Sequence, residues 1–156
     1  MSEKVVSNRM SHTILFGDDE QYTLLPLKTA LYSRGYKILQ AVNISDVLSA
    51  LKSVKVDVLV LDIMMDPGKE LEGKLDPHLA GIEALDLVKK TSPETSIICL
   101  SVIQDFALIK IIKSKGAIFL SKGETSLRTT VSIIESKITG VIVRSPHERR
   151  TIIGDE

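Results

Sequence analysis

The chain has 156 residues, enough for one domain with modest extensions and a core of useful size. Twenty Lys and Arg balance twenty Asp and Glu, so no net field draws it to nucleic acid or to an acidic partner. No apolar run reaches membrane-spanning length, no signal-peptide core opens the chain, and the single Cys99 excludes an internal disulfide, which together read as a soluble cytoplasmic domain with no membrane contact.

Residues 1–11 are polar and patternless, a loose lead-in. The stretch HTILFGDD, 12–19, predicts a short buried strand ending in acids. Residues 20–35 carry apolar groups at helical spacing and stop at Gly35, a favoured residue just past a helix end. Pro26 inside that span requires the helix to start late or to kink. A second strand over 36–42 and a second helix over 43–54 follow, with Asn43 or Ser45 as its N-cap. The third strand, VDVLVLD over 56–62, is apolar on both faces, as a central parallel strand must be. The remaining units are a helix over 80–93 closed by Pro93, a strand over 95–101, a helix over 104–116, a strand over 117–122 and a helix over 124–140. In the last helix Leu127, Val131, Ile134 and Ile138 recur on one face. Five strand–helix units with short links predict an α/β, doubly wound, five-stranded parallel sheet in three layers.

The polar exceptions to the apolar runs share one location. Asp18 and Asp19 follow strand one, Asp62 ends strand three, Ser101 ends strand four and Lys122 ends strand five. In strand order 2-1-3-4-5 these ends meet at the ligand crevice of the sheet. Three converging carboxylates require a cation or a proton, and an all-oxygen set without His or Cys suits Mg²⁺. A backbone carbonyl just after Asp62, that of Met64, supplies a further ligand. One carboxylate is then placed to take up a phosphoryl group as an acyl phosphate, with Lys122 and a small hydroxyl gripping the oxygens.

The segments ILFGDDE, VLVLDIMM, GIEALDLVKK, ICLSV and GAIFLSKG, in order from Thr13 to Gly140, together resemble the receiver domain of two-component response regulators. The resemblance implies a flavodoxin-like order 2-1-3-4-5 and a phosphoacceptor signalling domain rather than an enzyme. By motif, Asp62 resembles the phosphoacceptor, and Asp18 and Asp19 the Mg²⁺-binding pair, with the Met64 carbonyl as third ligand. Ser101 is similar to the hydroxyl residue that follows the phosphoryl group, Lys122 to the family's lysine, and Phe119 to its aromatic switch. The implied partners are a histidine kinase or phosphotransfer protein, and an output protein or second copy at the face of helix four, strand five and helix five.

Two departures stand out. Gly123 replaces the Pro that usually follows the lysine through a cis bond, so the expectation is a reshaped trans link or a strained cis one. About ten extra residues, 66–79, separate the phosphoacceptor from GIEAL and read as a solvated loop, either a lid or contact loop or a neutral insertion. Asp66 and Glu70 belong to that loop rather than to the metal site. The three histidines show no ligand spacing and read as surface residues; the tail 141–156 is too short for an output domain, so the expectation is an output in a partner protein or a chain that is a fragment of a larger one. The rival readings are a phosphorylation-independent binding module and an aspartyl-phosphate phosphatase. The latter normally carries an acid where Met64 stands.

Overall fold

A computed structural model describes residues 12–20, 22–65, 68, 71, 73 and 80–140. Most of the 66–79 loop, the lead-in, the tail, His78 and His147 lie outside the described residues. Five strands, β1 (Thr13–Gly17), β2 (Lys37–Ala41), β3 (Val58–Leu61), β4 (Ser96–Ser101) and β5 (Ile118–Ser121), alternate with five helices. The helices are α1 (Leu25–Ser33), α2 (Ile44–Ser53), α3 (Ala80–Thr91), α4 (Phe106–Ser114) and α5 (Leu127–Thr139). The sheet runs β2-β1-β3-β4-β5, all parallel, as expected.

The pairing register decides where the functional ends meet. Gly17 lies opposite both Ala41 and Leu61, and Ser101 opposite Ser121. The strands therefore finish level with one another, and the next residue of each sits on a common rim. Two apolar cores flank the sheet. One gathers Leu15, Leu59, Leu61 and Cys99 with α2, α3 and α4 residues such as Val47, Leu85 and Ile112. The other gathers Ile14, Phe16, Val58 and Val60 with Leu27 and Leu31 of α1 and Val131 and Ile134 of α5. Alternate strand residues feed opposite cores, which is why β1 and β3 are apolar throughout.

Local chemistry sets the helix boundaries. α1 starts late, with Pro26 in its first turn, where its missing N–H removes no helical bond. Asn43 rather than Ser45 caps α2, its side-chain oxygen accepting from the Asp46 N–H at 2.8 Å. Asp105 caps α4 by accepting from the Ala107 N–H at 2.9 Å. Three expectations need correction. Leu127 stands on the first turn of α5, half-exposed, and leaves the core face to Val131 and Ile134. His12 is not a plain surface residue, since its Nδ1 lies 3.3 Å from Asp57 Oδ1 at the amino end of the sheet. Within the loop, Leu71 is half-buried against the α2–α3–α4 core, so at that residue the loop is packed rather than solvated.

Candidate functional site

The sheet ladder continues one residue beyond three strands and delivers the site. The Asp18 N–H donates to the Ala41 carbonyl at 3.0 Å, the Asp62 N–H to Gly17 at 2.9 Å and the Lys122 N–H to Ser101 at 2.9 Å. Asp18 and Asp62 are buried, while Asp19 is exposed. Carboxylate oxygens of Asp18, Asp19 and Asp62 all lie within 4.8 Å of one another. The Lys122 ammonium bridges the two buried acids, 3.1 Å from Asp18 Oδ2 and 3.0 Å from Asp62 Oδ2. Backbone amides take the opposite oxygens: Asp18 Oδ1 accepts from Glu20 at 2.7 Å and Asp62 Oδ1 from Met64 at 2.9 Å.

Gln40 is a contributor that the sequence does not announce. On edge strand β2, it donates its side-chain amide to the Asp18 carbonyl at 2.7 Å and so fixes the turn that carries both amino-terminal acids. Its one signal is a lone polar side chain a residue before the end of an otherwise apolar strand end. A second positioning element is Gly81 in the first turn of α3. A Cβ there would fall on the Ile63 carbonyl and within 2.5 Å of the Ile63 Cα, so helix and loop touch backbone to backbone immediately after Asp62.

Three carboxylates face one ammonium, a formal balance of two negative charges. Burial, then the charges of Asp18 and Asp62, push the Asp19 carboxyl above the usual carboxylate range. Burial alone would lower the Lys122 ammonium, but hydrogen bonds and attraction from Asp62 and Asp18 outweigh it and hold that pKa above its ordinary value. Burial and the nearby Asp62 charge push the Cys99 thiol up to about 12, which leaves it a protonated core residue. An excess of hard oxygen donors on a preformed rim fits a small divalent cation such as Mg²⁺.

The remaining predicted residues fall as follows. Ser101 is buried, and its hydroxyl accepts from the Ile103 N–H at 3.4 Å, a long bond that holds it weakly. Met64 is exposed beside Asp62, and Phe119 is half-buried against the core that includes Ile112 and Cys99. The Lys122–Gly123 link is trans, and Gly123 turns the chain with φ of 85°, the reshaped alternative of the two expected. On α4 only Ile112 is buried, whereas Phe106 and Ile111 are exposed.

Fold and site together define a doubly wound parallel α/β architecture with an acidic rim at the carboxyl ends of its strands, and comparison with known proteins supplies the family. Residues 14–134 match the family model of the response regulator receiver domain, and the chain belongs to that family. The chemotaxis protein CheY of Thermotoga maritima is 27% identical over 115 residues, 72% of this chain and 87% of that protein. The autoinducer 1 sensor kinase/phosphatase LuxN of Vibrio harveyi is 28% identical over 101 residues, but the chain spans only 11% of its length. A CheY-like receiver domain protein of Methanospirillum hungatei superposes with a TM-score of 0.69 at 20% identity, covering 83% of this chain and 94% of that one. A response regulator of Burkholderia pseudomallei, solved with a phosphorylated aspartic acid, a calcium ion and citrate, gives 0.60 at 20% identity, with 92% and 85% covered. Among the described residues no helix is long and apolar enough to cross a membrane.

Proposed function

We propose that residues 12–140 act as a phosphoacceptor switch that takes a phosphoryl group on Asp62 in the presence of Mg²⁺. The observation that carries this reading is Lys122 bridging Asp18 and Asp62 on a rim where Asp19 adds a third carboxylate. Asp18, Asp19 and Asp62, with the backbone carbonyl of Met64, hold the cation. The cation supplies neutralisation of charge on the transferring group. Asp62 is the nucleophile, and its position on the ladder after β3 fixes the attacking oxygen at the mouth of the crevice. Lys122, once relieved of its bond to Asp62 Oδ2, follows the phosphoryl oxygens, and the weakly held Ser101 hydroxyl turns to meet them.

The donor is a histidine kinase or phosphotransfer protein. The output is a protein partner or second copy reading α4, β5 and α5, because Phe106 at 87% exposure and Ile111 present apolar surface that the packed fold does not use. Phe119 of β5, half-buried against the core that Ile112 of α4 joins, couples the site to that face. The beryllofluoride complex tests this reading. With Mg²⁺, backbone NMR shifts should spread from Asp62 to Phe119 and α4, and Asp62→Asn should abolish them. No response to beryllofluoride in the parent protein would identify a phosphorylation-independent binding module instead.

A further inference from the structure

Equal numbers of acids and bases conceal a separation of charge along the layer formed by α2, α3 and α4. These helices lie side by side, α2 on α3 and α3 on α4. Their amino ends, on the side of the acid rim, carry Asp46, Glu83 and Asp105. Their carboxyl ends carry lysines: Lys52 and Lys55 at α2, Lys89 and Lys90 at α3, Lys113 and Lys115 at α4. Opposed to these six are Asp57, Asp86 and Glu94, a formal surplus of three positive charges (6 − 3). Asp57 is engaged by His12 and by the Thr13 N–H, and Asp86 by Lys115 at 2.6 Å.

Attraction to the helix dipole explains a cation in a last turn, and so Lys52, Lys89, Lys90 and Lys113. It does not explain Lys55, in the turn past α2, or why the neighbouring Val54 stands 38% exposed there. The edge is also level. The Thr95 hydroxyl donates to the Val56 carbonyl at 2.8 Å, which ties the turn after α3 to the turn after α2. A Cβ on Gly116 would lie 3.3 Å from Lys89 Nζ, so the α4 end stands beside the α3 end. With axes about 8–10 Å apart, the row is roughly 16–20 Å wide.

We infer that this edge is an interaction surface for an anionic lipid bilayer, a peripheral contact that neither an apolar span nor a net charge announces. A flat, level row suits a planar partner, whereas a nucleic-acid duplex is read by an element that enters its groove. The row holds lysine and no arginine, point charges for a headgroup layer rather than the planar forks that grip individual phosphates. Val54, between Lys52 and Lys55, adds one apolar side chain at the contact. Bound this way, the protein turns its acid rim away from the bilayer, whose charge would repel Asp18, Asp19 and Asp62, and leaves that rim open to solvent. The contact does not rest on Asp62 being the phosphoacceptor.

The full chain is sedimented with phosphatidylcholine vesicles, with and without phosphatidylserine, and titrated in parallel with duplex DNA. Binding to the phosphatidylserine vesicles alone is expected in about 0.01 M salt. It should weaken on the order of tenfold at about 0.15 M, as the screening length falls from roughly 30 to roughly 8 Å. Each lysine near the surface contributes about fivefold, so Lys52→Gln combined with Lys55→Gln should weaken binding on the order of twentyfold. Arg128→Gln, in the first turn of α5 at the opposite pole, should leave the affinity unchanged. All three positions are exposed, so urea midpoints should match the parent. In bicelles carrying nitroxide-labelled lipid, the amide signals of Val54, Lys90 and Gly116 should broaden before those of Asp19 and Gly123. No sedimentation with phosphatidylserine vesicles at low salt, equal losses in the α2 double variant and Arg128→Gln, or broadening led by Asp19 would each overturn the inference. Tighter binding to duplex DNA than to the vesicles would also overturn it and give the row to nucleic acid.

Discussion

Replacing Gly81 by Ala perturbs the acid cluster without touching any of its charges. The added methyl would sit 2.5 Å from the Ile63 Cα, whereas real Cβ atoms keep at least 3.0 Å, so the two backbones must part by at least 0.5 Å (3.0 − 2.5). Both surfaces are backbone, so no rotamer change absorbs the clash. Overpacking of this kind costs about 1–3 kcal/mol, and the better helix propensity of Ala returns up to about 1 kcal/mol. The net expectation is a loss of about 1–2 kcal/mol, a sizeable share of a total stability of roughly 5–15 kcal/mol. Urea unfolding should show the midpoint falling by about 0.5–1 M with the slope unchanged. Because Ile63 lies between Asp62 and Met64, Mg²⁺ affinity should fall as well. A Gly81→Ala variant as stable as the parent, with unchanged Mg²⁺ affinity, would refute the claim that this contact holds the loop.

Other expectations follow from single residues. Gly123→Ala meets no atom within 4 Å, so its cost is that of a Cβ at a φ of 85°, about 1–2 kcal/mol by thermal unfolding; Gly123→Pro should cost more, because proline fixes φ near −65°. Asp19→Asn should raise the melting temperature in metal-free neutral buffer while weakening Mg²⁺ binding. An acid whose folded pKa lies above 3.8 costs stability only where it is ionised, so that gain should fade as the pH falls through the raised value toward 3.8; a gain independent of pH would show that Asp19 is not crowded. Met64 and Ile103 offer no polar side-chain group to orient a water, so phosphorylated protein freed of donor should lose its phosphate slowly, and Met64→Glu should hasten the loss in a timed mass-spectrometric assay. Rapid loss from the parent protein would contradict this.

Much of the fold was legible because the sheet imposes two constraints at once. Strands buried on both faces must be apolar throughout, so the polar residues at Asp18, Asp62, Ser101 and Lys122 could only mark strand ends, and a parallel sheet brings those ends to one rim. Asn43 and Pro26 were readable for a local reason, since capping and the missing N–H act within one turn. What escaped depended on neighbours in space. The 3.6 period puts Leu127 in line with Val131 and Ile134, but at the first turn of α5 its side chain lines the cleft beside the acid rim instead of joining the core. Gln40 reaches Asp18 only because β1 and β2 finish level, with Gly17 opposite Ala41, and no periodicity in β2 announces that. His12 reads as a surface residue in the sequence because its partner Asp57 lies forty-five positions away (57 − 12).

The most direct test of the central claim is the intact mass of the protein after incubation with acetyl phosphate, with and without Mg²⁺, beside an Asp62→Asn control. A single phosphate adduct that requires Mg²⁺ and disappears in the variant is the predicted result. No adduct on the parent protein, or an adduct that persists in Asp62→Asn, would contradict the assignment of Asp62 as phosphoacceptor.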